Sequence, residues 1–269
     1  MRLAGRVLVI AGSDSGGGAG LQADVKTVTA LGGYAATAVT ALTAQDTRAV
    51  HAVHDVPADF LRRQIAVVLA DIGADAIKIG MLHRADTVQA VVEELKDAAA
   101  RIPIVLDPVM AAKGGETLLQ SAAVQALRRD LISLAALLTP NLPEAAVLAG
   151  RAIASLDDMV EAAASLMTLG PQAVLLKGGH LPGDTVYDVL VSGAGTEVMS
   201  APRIDSINTH GTGCTLASAV ATGLAQGLDL RDAVRRARAY VAEAIRSAPG
   251  FGKGHGPLNH AHTVRRFDS

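Results

Sequence analysis

The sequence predicts one α/β domain: a mostly parallel central sheet, helices on both of its faces, and an antiparallel hairpin at an edge. Three observations predict it. Short apolar runs alternate with longer stretches of helical periodicity, a pattern that gives parallel strands joined by right-handed crossovers. The runs are continuously apolar, as strands covered on both faces are. No linker rich in Pro, Ser or charge divides residues 1–269, and no internal repeat is present, so a single domain is expected.

In chain order, the apolar runs read as strands are Arg6–Ala11, Ala36–Thr43, Ala76–Ile79, Ile104–Leu106, Ala135–Leu138 and Ala173–Leu176. Between them, helical periodicity marks Leu21–Leu31, Ala58–Ala70, Ala85–Ala100, Ser121–Arg129 and Asp157–Leu169. Ser155 with Asp158, and Asp229 with Asp232, have the spacing of helix-capping pairs. Val186–Val191 and Thr196–Met199 flank SGAG and read as the edge hairpin. His51–Val56 reads as a further short strand outside the main sheet.

Composition narrows the function. Half of the residues are apolar, enough for a sizeable core, and the formal net charge is -2. Basic residues are scattered and aromatics make up 2%, so neither nucleic acid nor an anionic membrane is an expected partner. Thr27–Gln45 and Ser206–Leu228 lack formal charge with His neutral, but both carry Gly, Thr and amide side chains and read as buried segments rather than membrane spans. Cys214 is the only cysteine and no secretory apolar stretch follows Met1, so a cytoplasmic location is expected.

In parallel sheets of this kind, ligands bind beyond the carboxyl ends of the strands. The candidate residues fall there. GSDSGGGAG (Gly12–Gly20) follows the first strand; it is neither a Walker A loop nor a dinucleotide fingerprint. It reads as a flexible connection or as backbone that approaches a small ligand, with Asp24 one turn into the helix as a possible acceptor. Gln45 follows the second strand and Met81 the third. Asp107, in LDPVM, ends the fourth strand as a cap or a metal-linked acid. In TPNLPEA, Asn141 and Glu144 share a helical face; they suit either a hydrated Mg²⁺ beside phosphate or a helix N-cap with an acidic first turn. Lys177, in LLKGGH, reads as a phosphate-binding point charge or a turn lysine.

NTHGTGCT (Asn208–Thr215) carries the strongest signal. A helix N-terminus offers unpaired N–H groups and a favourable dipole to anions, and Gly211 and Gly213 let the backbone come close. Gly211, Thr212 and Gly213 therefore read as an anion hole for a transferring phosphoryl group. Cys214 at such an N-terminus is expected to have a lowered pKa and to serve as a base or positioning group; the alternative is a small buried apolar residue. His210 reads either as a phosphate neighbour or as a structural histidine beside a turn.

These motifs, with TAQDT, KIGML and LDPVMAAKGG, run in order across nearly the whole chain. Together they resemble the hydroxymethylpyrimidine/phosphomethylpyrimidine kinases of thiamine biosynthesis, members of the ribokinase-like superfamily of three-layer α/β sandwiches. The resemblance implies phosphorylation of a hydroxymethyl group by Mg·ATP, with acceptance of the monophosphate as well. It implies that Gly12, Asp24, Gln45, Met81 and Val109 line the pyrimidine site, with Asp24 and Gln45 bonding the aminopyrimidine edge. Cys214 would face the hydroxymethyl oxygen and Gly211–Cys214 would hold the phosphoryl group. Asp107 and Glu144 would organise Mg²⁺, with Asn141 and Lys177 near the ATP phosphates. Asp188 on the hairpin and Lys253 in GFGKGHGP (Gly250–Pro257) would border the nucleotide. A homodimer is implied too.

Two other functions compete. Pyridoxal kinases of the same cysteine-bearing branch typically carry a second cysteine in the lid after DPVM; here that segment is AAKGG, with Ala112. A non-catalytic pyrimidine-binding protein on the same scaffold would have lost the anion hole, Asp107, Glu144 or Lys177, and all are present.

Overall fold

The computed structural model describes residues 4–112 and 114–265. In chain order its elements are β1 (Arg6–Asp14), α1 (Gly20–Ala30), β2 (Tyr34–Gln45), β3 (Val50–Asp55), α2 (Ala58–Asp71), β4 (Ala76–Ile79), α3 (Ala85–Leu95) and β5 (Ile104–Leu106). There follow α4 (Ser121–Ala126), β6 (Leu137–Leu138), α5 (Leu142–Ala149), α6 (Leu156–Met167), β7 (Ala173–Lys177), β8 (Thr185–Ser192), β9 (Gly195–Pro202), α7 (Thr212–Ala225) and α8 (Leu230–Arg246).

The strands form one nine-stranded sheet in the order β3-β2-β1-β4-β5-β6-β7-β8-β9. The stretch from β2 to β7 is parallel, whereas β3, β8 and β9 pair antiparallel at the two edges. Strand alternation splits the core into two layers. Leu8, Ile10, Ile77 and Ile79 pack on one face beneath α2 to α6. Val7, Val9, Ala11 and Ala76 pack on the other beneath α1, α7 and α8. The three-layer sandwich expected from the alternating pattern is therefore present.

The boundaries differ where local geometry overrides pattern. Val50–Asp55 is an edge strand of the main sheet, not a strand outside it: it pairs with the carboxyl half of β2 from Ala41 to Gln45. The helix read through Arg129 stops at Ala126 and widens into a π-turn over Leu127–Leu131. The Ala135–Leu138 run narrows to two residues. β1 runs on to Asp14 through an irregularity between Ala11 and Ser13, so Gly12 belongs to the strand rather than to the turn. The uncharged segments fold into α1–β2 and α7, and no described helix is long and apolar enough to cross a membrane.

Candidate active site

The carboxyl ends of β1, β2, β4, β5 and β7 meet the N-terminus of α7. Asp14 organises the Gly-rich turn from inside. Its carboxylate accepts hydrogen bonds from Gly16 N (2.8 Å), Gly18 N (3.0 Å) and Ala19 N (2.8 Å), and lies 2.9 Å from His210 Nε2. Burial opposes its charge, but His210 and the amides outweigh burial and hold its pKa below the ordinary carboxylate value. The turn then docks on α7. Gly211 has φ 84, and a Cβ there would collide with the Gly18 carbonyl, so only glycine fits this junction.

One wall of the cleft is apolar. Met81 packs with Ala41 and Leu118, and Val109 and Ala112 lie against them. A Cβ on Gly12 would stand 3.1 Å from Met81 Sδ, so the missing side chain keeps that wall open. Gln45, the last residue of β2, brings an amide to its rim, 3.3 Å from His210 Nε2 and 3.2 Å from Thr43 Oγ1. Gly12, Met81 and Val109 thus form one neighbourhood, with Gln45 at the end of β2 beside His210.

The other end is ionic. Lys177 Nζ, at the end of β7, donates to Asp107 Oδ1 at 2.8 Å, and Thr139 Oγ1 lies 3.2 Å from the same oxygen. A Cβ on Gly213 would stand 3.1 Å from Lys177 Nζ and 3.4 Å from Asp107 Oδ2, which puts this pair against the first turn of α7. Asn141 and Glu144 make a reciprocal capping box on α5: Glu144 N donates to Asn141 Oδ1 (2.9 Å) and Asn141 N donates to Glu144 Oε2 (2.8 Å). The helix-cap reading of the pair is therefore met, and the capped Glu144 also lies near Lys177 and Asp107. Burial, then Asp107, push Glu144 up to about 7 against the pull of Lys177. Burial works against the Lys177 charge, but Asp107 and Glu144 keep its pKa above the ordinary lysine value.

Cys214 stands in the first turn of α7, as its sequence position implied, yet the expected low pKa is wrong. Burial pushes the thiol up to about 11; Lys78 and the Gly20 amide pull it down, while Asp24 and Asp107 add to the rise. Removal of water outweighs the helix N-terminus here.

Three other expectations are corrected. Asp24 is fully buried; it meets Lys78 Nζ at 2.7 Å and accepts from Ser218 Oγ at 2.7 Å, so it lies behind the pocket rather than on a pyrimidine edge. Asp188 accepts from Gly178 N (3.0 Å) and Arg238 Nε (2.8 Å), so it braces the turn after Lys177 instead of facing a nucleotide. The Lys253 amide donates to Thr47 Oγ1, two residues past Gln45. Lys253 is thus anchored beside the end of β2, six places from the β8 of Asp188 in the sheet order.

Asp14 and Lys78 escaped the sequence reading. Asp14 sits inside a polar turn where any residue passes as loop. Lys78 sits in a four-residue strand, and its charge argued for nothing without knowledge of its partner. Lys113, within the AAKGG segment, lies outside the described residues.

With this geometry, comparison with known proteins is decisive. A family model described as phosphomethylpyrimidine kinase matches residues 14–259. The chain belongs to the phosphomethylpyrimidine kinase family. A hydroxymethylpyrimidine/phosphomethylpyrimidine kinase of Streptomyces coelicolor is 47% identical over 94% of this chain and 93% of its own length. The thiamine biosynthesis bifunctional protein ThiED of Geobacter sulfurreducens is 53% identical, and this chain spans about half of it, 52%. Among solved structures, a phosphomethylpyrimidine kinase of Clostridium difficile matches at TM-score 0.80 and 41% identity, over 89% of this chain and 99% of that one. The ADP complex of Bacillus subtilis pyridoxal kinase matches at TM-score 0.88 and 37% identity, over 96% and 98%. Family members are phosphotransferases of one ribokinase-like fold, and this chain has that fold.

Proposed function

We propose that this chain transfers the ATP γ-phosphoryl group to the hydroxymethyl group of 4-amino-5-hydroxymethyl-2-methylpyrimidine, and a second one to the resulting monophosphate. One observation carries the reading. It is the apolar packing of Met81 with Val109, left uncovered by Gly12, together with Lys177 Nζ set against Gly213 in the first turn of α7, and both features support this reading. A planar heterocycle on that wall would present its hydroxymethyl arm to α7.

In the transfer, the hydroxyl oxygen bonds to the γ-phosphorus, and the bond from phosphorus to the β,γ-bridging oxygen breaks. ADP departs with that electron pair. Because the transition state is loose, position and charge matter more than a strong base. The amides at the start of α7 and the Lys177 ammonium receive the equatorial charge. Cys214 holds the hydroxyl in line through its sulfur, and the hydroxyl proton passes to an oxygen of the transferred phosphoryl group. Asp107 and Glu144 fit a hydrated Mg²⁺: the charge of Asp107 raises the Glu144 pKa, and two such carboxylates beside a phosphate are the donor set such an ion prefers. Bound there, Mg²⁺ would neutralise phosphate charge. Asn141 holds the Glu144 side of this set. A homodimer, and a cytoplasm that keeps the single thiol reduced, belong to the same reading.

Pyridoxal phosphorylation is the second reading, favoured by the close structural match to pyridoxal kinases. Ala112 in place of a lid thiol argues against it. Coupled ADP release separates the two: hydroxymethylpyrimidine should drive it far better than pyridoxal, and release driven by pyridoxal alone would overturn the proposal.

A further inference from the structure

Asp14 and His210 are both buried, and no step of the transfer uses them. The Asp14 carboxylate accepts three backbone amides, from Gly16, Gly18 and Ala19, so it is ionised and acts only as an acceptor. His210 Nε2, 2.9 Å from Asp14 Oδ2, therefore carries a proton. The ring has little room to turn: a Cβ on Gly18 would stand 2.5 Å from its Cδ2, and the His210 backbone is bridged to Pro257.

This fixed donor meets the Gln45 amide. Gln45 Nε2 lies 3.3 Å from His210 Nε2, and Gln45 Oε1 lies 3.2 Å from Thr43 Oγ1. In that orientation two N–H donors face each other. The Thr43 hydroxyl gives its one proton to the Ser13 carbonyl at 2.9 Å, so it has none left for Oε1. The oxygen and nitrogen of a carboxamide have nearly the same shape, and hydrogen bonding decides which is which. A half-turn of the amide satisfies every group. Oε1 then shares the His210 proton with Asp14, Nε2 donates to Thr43 Oγ1, and Thr43 donates to Ser13. Oε1 keeps a lone pair and Nε2 a hydrogen for a ligand. Gln45 and His210 line one cleft with Ala112, which packs on the Met81 wall.

We propose that Asp14 and His210 are positioning residues that lock the polarity of the Gln45 amide, so that the site accepts a ring offering an amine beside a bare ring nitrogen and rejects the lactam that offers a carbonyl beside N–H. The amine donates to Oε1 and the ring nitrogen accepts from Nε2; the lactam reverses both. A ring whose hydroxymethyl arm is committed to α7 cannot turn over to suit the amide. The choice of ring rests on the proposed function; the locked amide does not.

The lock is read first without substrate. In protein labelled with nitrogen-15 histidine, long-range proton–nitrogen spectra report which ring nitrogens carry protons, and His210→Phe identifies the His210 signals by their loss. Nε2 should be protonated; a bare Nε2 overturns the proposal. The second reading is the ratio of kcat/KM for 4-amino-5-hydroxymethyl-2-methylpyrimidine to that for its 4-oxo lactam. His210→Phe frees the amide to turn and should narrow this ratio about tenfold, the worth of one hydrogen bond set against a like group. Thr43→Val, which keeps the side-chain volume, frees the other end and should narrow it too. A loosened cleft would lower both kcat/KM values and leave the ratio unchanged, and that result overturns the proposal. Should His210→Phe not fold, an unchanged ratio in Thr43→Val does so. If neither pyrimidine is turned over, the proposed function has failed, and the protonation of Nε2 still decides the lock.

Discussion

Asp14→Asn tests how the Gly-rich turn is built. The substitution keeps the shape and removes one acceptor. An Asn oxygen can still receive Gly16 N, but its NH₂ then faces Gly18 N, Ala19 N and His210 Nε2, which now meet Asp14 Oδ2. Each buried donor without an acceptor costs about 1–3 kcal/mol, and relaxation of the turn recovers part of it, so a net loss of about 2–4 kcal/mol is expected. Unfolding entropy near 2.1 cal/mol/K per residue converts this to a fall in Tm of about 4–7 °C for a chain of this size. Thermal unfolding of the ligand-free protein reads the first effect. A rise in KM for the pyrimidine reads the second, because His210 and Gln45 lose their anchor together. Tm within about 1 °C of wild type, with KM unchanged, would refute the reasoning.

Glu144→Gln should flatten a pH dependence. In the metal-free protein Glu144 is raised from 4.5 to about 7, so it binds its proton more tightly folded than unfolded. Its contribution is full below about 4.5 and is lost as pH rises through about 7, up to about 3 kcal/mol in all. Wild type should lose stability relative to Glu144→Gln between those limits, and parallel curves would contradict the assignment. Gln45→Ala should raise KM for the pyrimidine by an amount worth about 0.5–1.5 kcal/mol and spare ATP binding; an unchanged KM removes Gln45 from the site. Cys214→Ala should lower kcat about 10²-fold while Mg·ATP affinity persists, with Cys214→Asp more active than Cys214→Ser. Full activity in Cys214→Ala would make the thiol a packing residue.

Much of this molecule was legible before its structure. Continuous apolar runs such as Ile104–Leu106 and Ala173–Leu176 need burial on both faces, and that requirement alone dictates the sandwich. The turn before α7 was legible as a place of close backbone approach, and Gly211 there packs against the Gly18 carbonyl. What escaped depended on partners distant in sequence. The roles of Asp24 and Lys78 are defined by each other across 54 positions, and Asp14 by His210 across 196. The Cys214 pKa escaped for a similar reason: the helix N-terminus is visible locally, whereas burial in the folded chain and the Asp24 and Asp107 charges that outweigh it are not. Asp188 misled because the resemblance placed its hairpin beside the nucleotide, and only the fold shows that Arg238, fifty positions on, claims its carboxylate.

The most direct measurement is the mass of the products formed from ATP with Mg²⁺ and, in separate reactions, hydroxymethylpyrimidine, its monophosphate, pyridoxal and pyridoxine. The account predicts the pyrimidine monophosphate and then the diphosphate, with pyridoxal and pyridoxine turned over poorly. Efficient formation of pyridoxal phosphate with no phosphorylated pyrimidine would contradict it.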